Sequence, residues 1–134
     1  MLSGDHFISV ISLAEFTLGA RLAEAFGRAS APRLLQALAD ASAYAVLDVT
    51  HHTATAYAAL KTQMAVRYLN SALRRERRRF IEDWVDKVTG KTLGVDENDL
   101  WQCAQAKERG LHLVTNDRMW PIAEADADVQ LLLL

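Results

Sequence analysis

Short unbroken apolar runs, separated by longer stretches of helical periodicity, set the plan of this 134-residue chain. Residues 7–11 (FISVI) are apolar and rich in branched side chains, the pattern of a strand covered on both faces. Ser12-Leu13-Ala14-Glu15 follows with the spacing of a capping box, which predicts a helix from there to about Phe26. Residues 28–32 break the pattern. Proline is favourable just inside a helix start, so a second helix is expected from Pro32 to about Ala41. Residues 44–49 (YAVLDV) predict a second strand. An alanine-rich helix begins at Thr50 or His51. It is expected to run on through the arginine-rich segment and through FIEDWVDKV, with a loop over residues 89–94. Residues 100–109 predict a helix that Gly110 stops in the left-handed conformation. Residues 111–115 predict a third strand and residues 129–133 a fourth, the closing LLLL reading as a buried strand.

Strands alternate with helices, the apolar strands lack polar alternation, and the connections are short. That combination predicts one α/β domain over residues 1–134 with a parallel sheet. Sites in such sheets form outside the carboxyl ends of the strands. Asn-Asp occurs at Asn98-Asp99, opening a helix, and at Asn116-Asp117, closing a strand. The two pairs point to carboxylates gathered at one sheet edge, where a divalent cation is a natural occupant. Glu15 lies just past the first strand and Asp117 just past the third. The helix carrying Asp99 is expected to start at the opposite end of the sheet unless it is tilted. Local geometry thus pairs Glu15 with Asp117 more readily than with Asp99.

Composition narrows the function classes. With 51% apolar and 24% charged residues the chain has the balance of a soluble globular protein. A net charge of -2 predicts no general affinity for nucleic acid, so any polyanion site has to be a local patch. The single cysteine excludes an internal disulfide and fits a reducing, cytoplasmic setting. No apolar run reaches membrane-spanning length and no signal peptide precedes residue 1, so no membrane association is expected.

Each candidate also has a plain role. Glu15 can cap its helix by reaching back to Ser12, and Asp99 in a first turn favours the helix dipole. Asp117 is the hardest to explain structurally, because a Thr-Asn-Asp turn directly after an apolar strand sets a carboxylate at the usual site edge. Arg74, Arg75, Arg77, Arg78 and Arg79 form either a phosphate-binding patch or a solvated helix face. His51 and His52 are adjacent on a helix and should point apart, which disfavours a metal pair. Asp48, ending the second strand, is an outer site candidate. Cys103 reads as core. Trp84, Trp101 and Trp120 read as core or partner contacts more than as base-stacking platforms.

ISLAEFTLGA, followed by NDLWQCAQAKERGLHLVTND, resembles the PIN-domain nucleases, especially the VapC toxins of bacterial toxin-antitoxin pairs. DWVDKVTGKTLGVDENDLW also looks like one subgroup of that family. The resemblance covers nearly the whole chain in the family's motif order. It implies a parallel sheet with helices on both faces and a metal-dependent endoribonuclease, a hydrolase of RNA phosphodiesters. The family's second, third and fourth acids fall on Glu15, Asp99 and Asp117, as ligands of Mg²⁺ or Mn²⁺. Asn116 or Thr115 matches the supporting polar residue beside the fourth acid. The implied partners are an RNA substrate, a small antitoxin protein and a second copy in a homodimer. Family members open with a central strand ending in aspartate, placed before the strand seen at residues 7–11. That strand and acid are missing from these 134 residues, and Asp5 does not replace the acid. The domain is therefore expected to be N-terminally truncated, with the missing strand encoded in frame upstream. The alternative is a non-catalytic PIN-like protein that binds RNA or a partner protein, which the missing acid favours.

Overall fold

A computed structural model describes residues 4–70, 79–117 and 119–134. Two compact units emerge, Met1–Asp48 and Val49–Leu134. The class is α/β with parallel strands, as the alternation of elements predicts.

In the first unit β1 (Phe7–Ser9) pairs in parallel with β2 (Ala45–Leu47), Phe7 standing opposite Ala45 and Ser9 opposite Leu47. Between them run α1 (Val10–Ala25) and α2 (Ala31–Ala41), with Pro32 in the first turn of α2. The start of α1 differs from the expectation. Ser9, not Ser12, is the N-cap, and its hydroxyl accepts the Ile11 N–H at 3.1 Å. Once that orphan donor is satisfied, Val10 and Ile11 join the helix despite their branching. Ser12 and Glu15 therefore lie inside α1 and do not form a capping box. The strand is correspondingly shorter than residues 7–11, and Phe7 is 46% exposed, so β1 is not covered on both faces.

The second unit begins with α3 (His51–Tyr68), capped by a reciprocal Thr50–Thr53 box. The expected continuation through FIEDWVDKV does not form. Phe80 and Trp84 are extended, and only a 3-10 turn, Ile81–Asp83, lies between them. Val85 bridges antiparallel to Thr92, and Gly90 closes the intervening loop with φ 69°. Burial of Ile81 and Trp84 accounts for the departure, because both enter the core with Leu60, Met64, Leu100 and Ile122. Packing outweighs helix propensity here. Next come α4 (Glu97–Arg109), β3 (His112–Thr115), α5 (Trp120–Ala125) and β4 (Gln130–Leu133). Gly110 ends α4 at φ 64°, the left-handed stop expected of it. β3 and β4 are parallel, in register from His112 opposite Gln130 to Thr115 opposite Leu133. The expectation that LLLL is buried fails: Leu132, Leu133 and Leu134 are 40%, 37% and 79% exposed. Parallel strands normally have both faces covered, and this two-stranded ribbon does not. Among the described residues no helix is long and apolar enough to cross a membrane.

Candidate functional site

The site is built on the first turn of α4 and the turn after β3. Asp96 is the N-cap of α4. Its carboxylate accepts the Asp99 N–H at 2.8 Å, and the Asp99 carboxylate accepts the Asp96 N–H at 2.9 Å. Asp99 thus does the helix-capping work that its spacing allows, with one oxygen committed to the cap. Burial first, and then the negative charges of Asp96 and Asp117, push its carboxyl up to about 6, against the pull of the Asp96 N–H.

The expectation that the first turn of α4 starts at the far end of the sheet does not follow from the path of the chain. The chain turns at Gly110 in the left-handed conformation, and α4 packs against β3. A helix that precedes a strand and runs antiparallel to it begins at the edge where the strand ends. The Asp117 charge is the smallest of the causes that raise the Asp99 carboxyl. Asp117 is exposed, and its backbone N–H donates to the Thr115 hydroxyl at 3.0 Å, which fixes the turn. Asn116 between them is exposed.

Behind this turn lies a half-buried polar knot for which the sequence carried no local signal. Glu97, the first residue of α4, accepts from the Lys61 ammonium at 2.5 Å, from the Tyr57 hydroxyl and from the Ile81 N–H at 2.9 Å. Burial alone would raise the Glu97 carboxyl, but those donors together hold it below its ordinary value. Burial likewise opposes the Lys61 charge, yet its bonds to Glu97 and Tyr57 prevail and raise it. Tyr57 stacks on Trp101 of α4 with ring centroids 4.0 Å apart.

Glu15 is carried on α1 of the first unit, on an exposed position. Asp48 is exposed just past β2. Arg79 is exposed with its guanidinium over the Phe80 ring, and its carbonyl accepts from Lys61 at 2.5 Å. Arg74, Arg75, Arg77 and Arg78 lie outside the described residues. The His51 and His52 rings do not point apart as expected, since their centroids are 3.9 Å apart in the first turn of α3. Among the described residues no group of three or more His, Cys, Asp or Glu side chains forms a metal-sized cluster. Cys103 is fully buried beside Met119, and burial, with a smaller part from the Asp99 charge, lifts its thiol to about 12, so it is core and not a nucleophile. Trp84 is core as expected, whereas Trp120 is 47% exposed.

Chemically, Asp99 and Asp117 are two carboxylates whose mutual repulsion is relieved either by a proton on Asp99 or by a hard cation. All-oxygen donors with an open, solvent-facing side suit Mg²⁺ or Mn²⁺, which keep several waters when bound. Two such carboxylates do not by themselves make a metal site, and among the described residues no third ligating side chain joins them.

A family model for the PIN domain matches residues 2–126. No curated protein matches the chain.

Proposed function

This chain belongs to the PIN domain family, and on that premise we propose that it is a metal-dependent endoribonuclease of the VapC toxin type. PIN domains are typically nucleases that use divalent metals. What supports the reading is the family match over residues 2–126, together with an Asp99 carboxyl pushed up to about 6 by burial and, in part, by the charges of Asp96 and Asp117. A carboxylate pair that cannot both ionise cheaply is suited to a cation. Asp99 and Asp117 would hold it, with Glu15 assigned as a further acid from the family resemblance. When bound, the ion neutralises charge on the scissile phosphate and lowers the pKa of a water. Thr115 holds the turn that presents Asp117. Asn116, exposed beside it, orients the phosphate. Arg79, with Arg74, Arg75, Arg77 and Arg78, supplies positive charge along the RNA backbone. A small antitoxin silences the chain in the cell, and a second copy covers exposed apolar surface in a homodimer.

A non-catalytic PIN-like protein that binds RNA or a partner is the second reading. The absence of a cluster of three or more metal-ligating side chains among the described residues favours it. Mn²⁺ titration of the chain and of its Asp117→Asn, Asp99→Asn and Glu15→Gln variants, alongside cleavage of a structured RNA with and without chelator, decides between them. Enzyme function predicts weak Mn²⁺ binding that Asp117→Asn abolishes, and cleavage that the chelator stops. RNA binding without Mn²⁺-dependent cleavage would establish the second reading.

A further inference from the structure

β4 belongs to a two-stranded parallel sheet, and among the described residues no strand pairs with its far side. One bond fixes the direction of its backbone groups. The Leu134 N–H donates to the Thr115 carbonyl at 3.0 Å, and Thr115 stands opposite Leu133. Backbone groups alternate along a strand, so Gln130, Leu132 and Leu134 turn theirs toward β3. Leu131 and Leu133 therefore turn N–H and C=O outward, to the free edge. Side chains alternate between the two faces. Leu131 and its register partner Leu113 pack against the core. Leu132 and its register partner Val114 form the other face, where they are 40% and 38% exposed.

This edge lacks the devices that usually blunt one, which are charged side chains, proline or a bulge. Residues 129–134 read VQLLLL, with no charge, no proline and no glycine. Such a segment pairs readily with a copy of itself. The absence of charge also selects the occupant. A foreign strand bearing charges has to desolvate them against leucine, whereas a second copy meets leucine with leucine. Antiparallel pairing about a two-fold axis sets Leu131 opposite Leu133 of the second copy, and Leu133 opposite its Leu131. The outward N–H and C=O groups then satisfy one another. Leu132 falls on the axis and faces Leu132 of the second copy, with Cα atoms about 4.5 Å apart. On the uncovered face Val114 and Leu132 of both copies line up in one apolar row. Asp128, the acid nearest the strand, is carried to opposite ends of the pair, so its like charges stay apart.

We propose that β4 is a strand-pairing edge for a second copy of this chain: Leu131 and Leu133 join the two β3–β4 sheets into one, with Leu132 on the two-fold axis. This inference rests on the homodimer reading above and names its surface, and it does not involve the acidic residues. A few leucines per copy enclose far less than the roughly 1,200–2,000 Å² of a standard stable interface. The pairing is accordingly weak, with a Kd on the order of 100 μM. Apolar residues of α1 belong to the other unit and can add to association, so the test is read at position 132.

Sedimentation equilibrium of the full chain at concentrations up to about 1 mM, tenfold above that Kd, should show a dimer. Leu132→Lys and Leu132→Glu, each checked for the parental fold by circular dichroism, should each raise the Kd about tenfold or more, because like charges then face each other across the axis. An equimolar mixture of the two should recover the association of the parent to within about threefold, since lysine now faces glutamate. An interface elsewhere on the chain does not respond to mixing. Leu132→Cys gives a second reading with little disturbance of the fold. Oxidised with copper phenanthroline it should yield a covalent dimer, because the spacing on the axis lies within disulfide range. Leu133→Cys faces position 131 of the second copy and should not crosslink, and Cys103 is fully buried. A parent that dimerises, with no recovery on mixing and no Leu132→Cys crosslink, overturns the β4 edge and leaves the homodimer to another surface. A parent that runs as a single 14.9 kDa species throughout overturns both, and leaves β4 to an extended strand of another protein.

Discussion

The two units of this chain bury different things. Among the described residues the first unit hides only small apolar side chains, Ala20, Ala23 and Ala41, while Phe16, Leu18, Leu22 and Phe26 of α1 and its C-cap stay 42% to 70% exposed. The second unit closes Leu60, Met64, Ile81, Leu100 and Ile122 completely and seals them with Tyr68, Trp84 and Val129. Dispersion and apolar burial scale with the side chain enclosed, so an alanine interior contributes little per residue. The acid pair sits on the unit that has its own packed core. Glu15 sits on the unit whose large apolar groups are uncovered. Side chains that must hold a fixed geometry are best carried on elements locked by packing, and α4 packs in the core of the second unit.

The largest expected difference comes from ion pairs. Lys107 of α4 bonds Asp126, whose side chain is 3% exposed. Lys107→Met leaves that carboxylate buried without its cation and should cost about 3–5 kcal/mol in urea unfolding. The counterpart in the first unit, Arg21→Ala, breaks a 3.2 Å pair with Glu24 whose members are 66% and 53% exposed. It should cost at most about 0.5 kcal/mol. Equal costs would erase the distinction between a packed and an open unit.

A smaller effect sharpens the comparison at the acid pair. Asp99 has a carboxyl raised from 3.8 to about 6 in the folded chain. Folding therefore favours the protonated form. The stability this contributes is fully present below the unfolded value and is lost as pH rises through about 6. Asp99→Asn keeps an acceptor for the Asp96 N–H but carries no charge. The variant should gain on the parent between about pH 4 and pH 7, by on the order of 1 kcal/mol once solvent screening of this half-open group is allowed for. Mg²⁺ added above pH 6 should restore the parent and leave the variant unmoved. Urea midpoints at both pH values, with and without Mg²⁺, read this directly. A gap that does not change with pH would mean that Asp99 titrates as an ordinary surface carboxylate.

Both sides of the comparison were partly readable beforehand. Gly110, the Thr50 start of α3 and the strand before Asp117 follow from local chemistry, and the structure keeps them. Ser9 and Ser12 compete for the same capping role, and only the tertiary position of β1 selects the first. FIEDWVDKV was misread because Ile81 and Trp84 are claimed by a core assembled from distant segments. α5, of six residues, is too short for periodicity to reveal. The parallel-sheet argument over Asp99 set the start of a helix by the sheet alone, which the path of the chain does not dictate. Lys61 and Glu97, 36 residues apart, meet only in three dimensions, so no spacing announces them. Exposure of the LLLL strand is likewise invisible to a pattern that reports apolarity and not what covers it.

The smallest expected effect on stability tests the open unit most directly. Phe16 and Leu18 are 46% and 60% exposed on α1, so replacing both with serine removes little buried area. Their combined cost should stay within about 0.5 kcal/mol, the ordinary range for surface changes. Association should respond far more. Exposed apolar side chains are surface that another chain can cover. The parent should therefore sediment above the 14.9 kDa of a single chain at high concentration, and the double serine variant should move toward it. Analytical ultracentrifugation of both, beside urea unfolding, separates the outcomes. A parent that runs as one 14.9 kDa species would remove the homodimer proposal. A large stability loss with no change in association would show that these side chains are packed within the chain, and that the first unit is not the open one.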